Sequence, residues 1–146
     1  MTGAYHVAAE LSHLGLIATV TSRNAQGTDI LVASADGLRS ISIQVKTSSW
    51  KYAMKKWRTN KKAEKNISNR FFYVFVDLKE DGSRPDFYVV PSKDVASYIQ
   101  KSNYSWMHTR SRKGTKHKAT TMRVFQIRDE ARERRYKDQW DLLKLV

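Results

Sequence analysis

The six consecutive residues Phe71-Phe72-Tyr73-Val74-Phe75-Val76 constrain this chain more than any other segment. Successive side chains of a strand point to opposite faces of a sheet, so a strand with one wet face alternates apolar and polar residues. An unbroken aromatic and β-branched run of strand length therefore predicts a central strand covered on both faces. Such a strand needs neighbours beside it and further layers above and below. A chain of 146 residues, 40% hydrophobic and 11% aromatic, has room for one such globular domain. No Pro/Gly/Ser-rich linker, internal repeat or low-complexity tract divides it, so residues 1–146 read as a single domain.

The elements around that strand follow from periodicity and turn chemistry. Ala4, Val7, Ala8, Leu11 and Leu14 recur at helical spacing, predicting a helix over 4–14 that Gly15 ends. Residues 16–21 read as a short strand and 22–28 as a polar loop. Residues 30–33 and 41–47 read as two strands joined through Asp36-Gly37, a strong hairpin signal. Residues 50–65 are basic and helix-friendly, with Trp50, Ala53, Met54 and Trp57 on one side, and predict a helix. Asp81-Gly82 marks a turn, 86–90 the returning strand, and Pro91-Ser92 the start of a helix to about residue 101. Residues 106–121 form a basic, Gly-containing loop, 122–127 a last short strand or an extended edge, and 139–146 a short closing helix. The sum is a mixed β-sheet flanked by helices, in the α/β or α+β class.

Charge narrows the function. The formal net charge is +13, which points to a polyanionic partner, nucleic acid before membrane. Residues 51–70 carry eight Lys/Arg and one Glu, and residues 101–123 seven Lys/Arg and no acid. These two stretches hold essentially all of the excess, whereas a merely solvated surface mixes both signs. There are no cysteines, hence neither disulfides nor thiolate metal sites. No apolar run approaches the roughly eighteen residues a membrane span needs, and residues 1–10 lack a signal-peptide core. The expectation is a soluble, cytoplasmic protein. No Gly-rich phosphate loop and no hydrolase nucleophile elbow is present.

The hairpin yields a constellation. With Asp36 and Gly37 as the central turn residues, paired positions sum to 73, which sets Asp29 opposite Gln44. Opposed residues share a face, and alternation adds Lys46 to it, provided no slip or bulge intervenes. A carboxylate and an amide oxygen can hold a hard cation such as Mg²⁺. A neighbouring ammonium can orient a water or stabilise charge on a phosphate. The plainer alternative is that Asp29 only starts one strand and Lys46 only ends another.

The wording of these segments favours the first alternative. Gly27-Thr28-Asp29-Ile30-Leu31-Val32, followed by Ile43-Gln44-Val45-Lys46-Thr47, resembles the core of the PD-(D/E)xK nuclease superfamily. It is most similar to members with Gln-x-Lys in place of Glu-x-Lys, such as Mrr-type restriction enzymes and nucleases encoded with group I introns. The likeness extends upstream to Ala9-Glu10-Leu11 and Leu14-Gly15, and downstream to 72–77 and 87–92, covering roughly residues 3–100. It implies a restriction-endonuclease-like αβββαβ core and metal-dependent hydrolysis of phosphodiesters, with DNA favoured over RNA. Asp29 and Gln44 would be metal ligands, the Val45 carbonyl a third, Lys46 the catalytic amine, and Glu10 an outer or second-metal carboxylate. The cofactor implied is Mg²⁺, with Mn²⁺ substituting. Thr28 stands where the family has proline, and Gln44 where it usually has an acid. The second change implies weaker metal affinity, one ion rather than two, and admits a protein of the same fold that only binds nucleic acid or a protein partner.

Glu10 lies at the border of the Val7/Leu11/Leu14 stripe, so it could reach the sheet edge or remain an exposed surface glutamate. His6, Glu10 and His13 share one side of that helix, but nothing else in the chain supports a zinc site. Lys51, Lys55, Lys56, Arg58, Lys61 and Lys62 follow the strand ending at Lys46 and could lead a phosphate backbone to it. Arg110, Arg112, Lys113, Lys116 and Lys118, with His117, read as a flexible arm for non-specific phosphate contact. Trp57 is expected in the core, while Trp50 and Trp106 could pack or stack on bases. A homodimer or higher homo-oligomer is compatible with this reading.

Overall fold

The computed structural model of the protein describes residues 1–22, 25–48 and 55–145. Five strands form a mixed sheet in the order β1-β2-β3-β5-β6: β1 Ile17–Val20, β2 Ile30–Ala33, β3 Ser40–Ser48, β5 Phe71–Asp77 and β6 Asp86–Pro91. Neighbours are antiparallel except β3 and β5, which are parallel. A separate two-stranded ribbon pairs β4, Lys56–Asn60, with β7, Met122–Gln126. The helices are α1 Thr2–His13, α2 Ser92–Met107 and α3 Glu130–Tyr136, with 3-10 turns at Lys61–Glu64 and Trp140–Leu143. This is the mixed α/β class that the sequence predicts.

The apolar run behaves as its composition demands. All residues of β5 are buried. Phe72, Val74 and Val76 enter one core with Val7 and Leu11 of α1, Ile43 of β3 and Trp140. Phe71, Tyr73 and Phe75 enter a second core with Trp57 and Phe125 of the ribbon, Val95 and Ile99 of α2 and Tyr136 of α3. Two layers are therefore built on one strand. Helix α1 can lie directly on β3 because Gly3 sits against the side chain of Thr47, where a Cβ would collide. Its end is a Schellman motif. Gly15 takes φ +82°, Gly15 N–H bonds the Ser12 carbonyl, and Leu16 N–H bonds that of Leu11.

Four elements depart from expectation. The helix expected over 50–65 is absent from its described part: residues 50–54 lie outside the described residues, 56–60 are strand β4, and 61–64 are a 3-10 turn. The fifth element of the expected αβββαβ order is thus, over its described residues, a strand and a turn. Tertiary contact overrides helix propensity here, because Trp57 packs between Phe75 and Tyr88 at ring distances of 5.1 and 5.6 Å, and its Nε1–H donates to the Val76 carbonyl at 3.0 Å. Helix α2 runs on to Met107, taking Trp106 out of the expected loop. Helix α3 was not expected, since its face is charged almost all round. Its signal is the Asp129 cap, which accepts the Arg132 N–H at 2.7 Å, with Glu130 in the first turn and Arg134 and Arg135 in the last. The closing helix expected over 139–146 is a single 3-10 turn, Trp140–Leu143.

Candidate active site

The hairpin register is the expected one, with Ile30 opposite Ile43 and Ala33 opposite Ser40. The loop is tied by Ser34 N–H to the Arg39 carbonyl and by the Asp36 carboxylate, which accepts from Ser34 Oγ at 2.6 Å and Leu38 N–H at 3.0 Å. Ile41, Ile43 and Val45 of β3 face α1 and the first core. By alternation Ser42, Gln44 and Lys46 face the other way. The second core takes no side chain from β1, β2 or β3, so among the described residues nothing of that core covers this half of the sheet face. Leu31 and Ile17 on it are 52% and 51% exposed.

At Asp29 the ladder departs from regular pairing. Its N–H donates to the Ile43 carbonyl at 2.8 Å, and its Oδ2 accepts the Val45 N–H at 2.7 Å. The expected opposition of Asp29 and Gln44 is thus replaced by an in-plane contact. The carboxylate takes a position on the edge of β3 that a backbone carbonyl would otherwise fill, at the residue between Gln44 and Lys46. Thr21 holds the same spot from the β1 side. Its N–H donates to the Asp29 carbonyl at 2.9 Å and its hydroxyl to the Thr28 carbonyl at 2.6 Å. Thr21 continues the β1–β2 register, in which paired positions sum to 50.

Gln44 and Lys46 are half-buried, and among the described residues neither side chain makes a hydrogen bond or ion pair. No buried side-chain nitrogen or oxygen among the described residues lacks a partner, so both polar ends reach solvent. Neighbouring Tyr73, opposite Gln44 on β5, is a different case. Burial pushes its hydroxyl up to about 12, so it stays neutral.

Glu10 is engaged elsewhere. Arg84 binds both its oxygens, at 3.1 and 3.0 Å, and also Asp138 at 3.0 Å. Those two carboxylates, Glu10 first, raise the Arg84 guanidinium above its ordinary value. Helix α1 covers the first core, so Glu10 lies across the sheet from Gln44 and Lys46. Among the described residues no group of three or more His, Cys, Asp or Glu could hold a metal ion. His6 and His13 join no such group.

The basic residues are brought together more closely than their sequence separation suggests. β4 and β7 come from the two basic stretches, and beyond them Lys61 N–H bonds the Thr121 carbonyl at 2.8 Å. Lys56, Arg58, Lys61 and Lys62 are exposed. Lys55, at φ 42°, is committed to the fold, since its ammonium bridges both oxygens of Glu133 at 2.9 Å. Lys51 and Trp50 lie outside the described residues. The arm with Arg110, Arg112, Lys113, Lys116 and Lys118 is folded back on itself rather than irregular. Arg110 bridges Lys116, Ser111 N–H bonds the Thr115 carbonyl at 2.9 Å, and Trp106 stacks on His117 at 4.0 Å. Trp57 is in the core as expected, 2% exposed.

No protein-family model matches the chain, and no curated protein matches it. Among solved structures it is similar to a bacterial homing endonuclease, I-Ssp6803I, at 14% identity and a TM-score of 0.52. The match covers 98% of this chain and 87% of that one. The chain shares that endonuclease's fold. The likeness spans the whole architecture, from α1 through the sheet to the C-terminal elements, and at that identity it concerns the fold alone. No helix among the described residues is long and apolar enough to cross a membrane.

Proposed function

We propose that this chain is a metal-dependent endonuclease of the PD-(D/E)xK kind, hydrolysing phosphodiester bonds in nucleic acid, with DNA favoured over RNA. The observation that carries the reading is the 2.7 Å bond from Val45 N–H to Asp29 Oδ2. It joins the only carboxylate on the hairpin's open end to the residue between Gln44 and Lys46. In a strand, one residue's N–H and C=O face the same side, so the Val45 carbonyl faces Asp29 as well. Asp29, the Val45 carbonyl and the Gln44 amide oxygen together make an all-oxygen donor set. That chemistry fits a hard cation such as Mg²⁺ or Mn²⁺, which keeps several of its waters. Bound there, the ion would polarise a phosphoryl oxygen and acidify a water. Lys46, with no partner among the described residues, would orient the attacking water and stabilise charge developing on the phosphate. The net charge of +13 and the fold shared with a homing endonuclease support a nucleic-acid substrate.

One observation favours a second reading. Gln44 is neutral and Arg84 occupies Glu10, so of the proposed ligands only Asp29 offers a cation an unpaired negative charge. The same fold could therefore bind nucleic acid, or a protein partner, with little or no catalysis. Cleavage of duplex, single-stranded and branched DNA and of tRNA, with Mg²⁺ and with Mn²⁺, decides between them. The nuclease reading expects metal-dependent cleavage that Asp29→Ala and Lys46→Ala each reduce by roughly a thousandfold, several kcal/mol of transition-state stabilisation. Wild type that cuts none of the four substrates with either metal selects the binding module. Cleavage that survives both substitutions puts the chemistry elsewhere.

A further inference from the structure

The ribbon carries a face that the proposed chemistry does not use. Trp57 points inward on β4, so Lys56 and Arg58 point outward, and pairing sets Val124 opposite Arg58 and Met122 opposite Asn60 on that same outer face. Lys56 and Arg58 are exposed and, among the described residues, neither has a hydrogen-bond or ion-pair partner. Met122 is 48% exposed beside them. Among the described residues, then, no pairing ties these cations to the fold. The cations of Lys61 and Lys62, and the folded arm that leads into Thr121, lie at one end of the same ribbon.

We infer that the outer face of the β4–β7 ribbon reads base edges in the major groove of duplex DNA, with Arg58 selecting guanine. This rests on the nucleic-acid reading above and names its substrate as a duplex read for sequence. The major groove is about 12 Å wide and admits a two-stranded ribbon, whose strands lie about 4.8 Å apart. A guanidinium meets O6 and N7 of guanine with two hydrogen bonds, and apolar side chains such as Met122 and Val124 suit the thymine methyl group. The cations at the ribbon's end take the phosphates beside the groove, which fixes register without reading sequence. Duplex RNA presents a deep, narrow major groove that side chains cannot enter, so the ribbon distinguishes the two duplexes.

The test is selection of bound sequences from a randomised DNA duplex pool by the full chain in EDTA, so that binding is read without cleavage. Arg58→Ala and Arg58→Gln are compared with wild type after thermal unfolding shows both to be folded. Wild type is expected to select a guanine that Arg58→Ala no longer prefers, a loss of about 10- to 100-fold in discrimination, and that Arg58→Gln exchanges for adenine. The salt dependence of binding to unselected duplex is expected to stay unchanged. The inference is overturned by a wild type without base preference, or by a preference that survives both substitutions. A salt slope lowered by about 0.9 with preference intact makes Arg58 a phosphate contact and overturns it too. Duplex RNA bound as tightly as selected DNA does the same. Failure of the chain to bind any duplex, by contrast, removes the nucleic-acid reading itself.

Discussion

The open half of the sheet, β1 to β3, and the covered side, formed by the ribbon with α2 and α3, treat polar side chains in opposite ways. On the covered side the buried and half-buried charges are paired. Arg123, 6% exposed, bonds Glu64 at 2.6 Å, Lys55 takes both oxygens of Glu133, and Tyr136 donates to Asp94 at 2.8 Å. On the open half Gln44 and Lys46 have no such partners among the described residues. A charge removed from water must be paired, because an uncompensated one costs several kcal/mol. A half-exposed charge stays hydrated at small cost and remains free for a ligand. The contrast separates polar groups that build the molecule from those that can act on something else.

The sharpest way to break this contrast is to remove one charge from each side. Arg123→Ala is expected to cost about 3 kcal/mol, because it leaves Glu64 without its partner and frees the start of β7. Lys46→Ala is expected to change stability by less than about 0.5 kcal/mol. Urea unfolding of the two variants measures both. Equal costs would mean that Lys46 belongs to the fold and not to a site.

A smaller effect sharpens the account of the basic side. Arg112 and Lys113 sit exposed at the tip of the folded arm. Replacing both with alanine is expected to reduce the log–log salt slope of DNA binding by about two and leave the melting temperature unchanged. A slope that does not move assigns the tip no phosphate contact.

The smallest expected effect concerns the Lys55–Glu133 pair. Hydrogen bonding from Lys55, then its charge and that of Lys137, hold the Glu133 carboxyl below its ordinary value. A depressed carboxylate stabilises the fold above its unfolded pKa, and that contribution is lost as pH falls through the folded value. Wild type is therefore expected to exceed Glu133→Gln by less than about 1 kcal/mol near neutrality, with the margin shrinking as pH falls below about 4. Denaturation at pH 7 and pH 3 checks the sign. A margin undiminished at pH 3 would mean that packing, not charge, holds Lys55.

The sequence by itself determined what local rules decide. An apolar run with no polar break has to be covered on both faces, and β5 is. A hairpin through Asp36-Gly37 has one favoured register, and Ile30 meets Ile43 as that register requires. Net charge needs no structure at all. Tertiary structure alone decided the rest. The stretch 50–65 reads as helix-friendly, yet its residues 56–60 are a strand because Trp57 finds Phe75, Tyr88 and Phe125 only once residues far along the chain have come beside it. Glu10 looked available to the hairpin until Arg84 arrived from the turn before β6. The departure of Asp29 from the ladder, toward the Val45 N–H, likewise depends on Thr21 bracing it from β1. Local propensity differs between such alternatives by about 1 kcal/mol or less per residue, whereas burying one large aromatic side chain is worth several, so long-range contact wins wherever the two disagree.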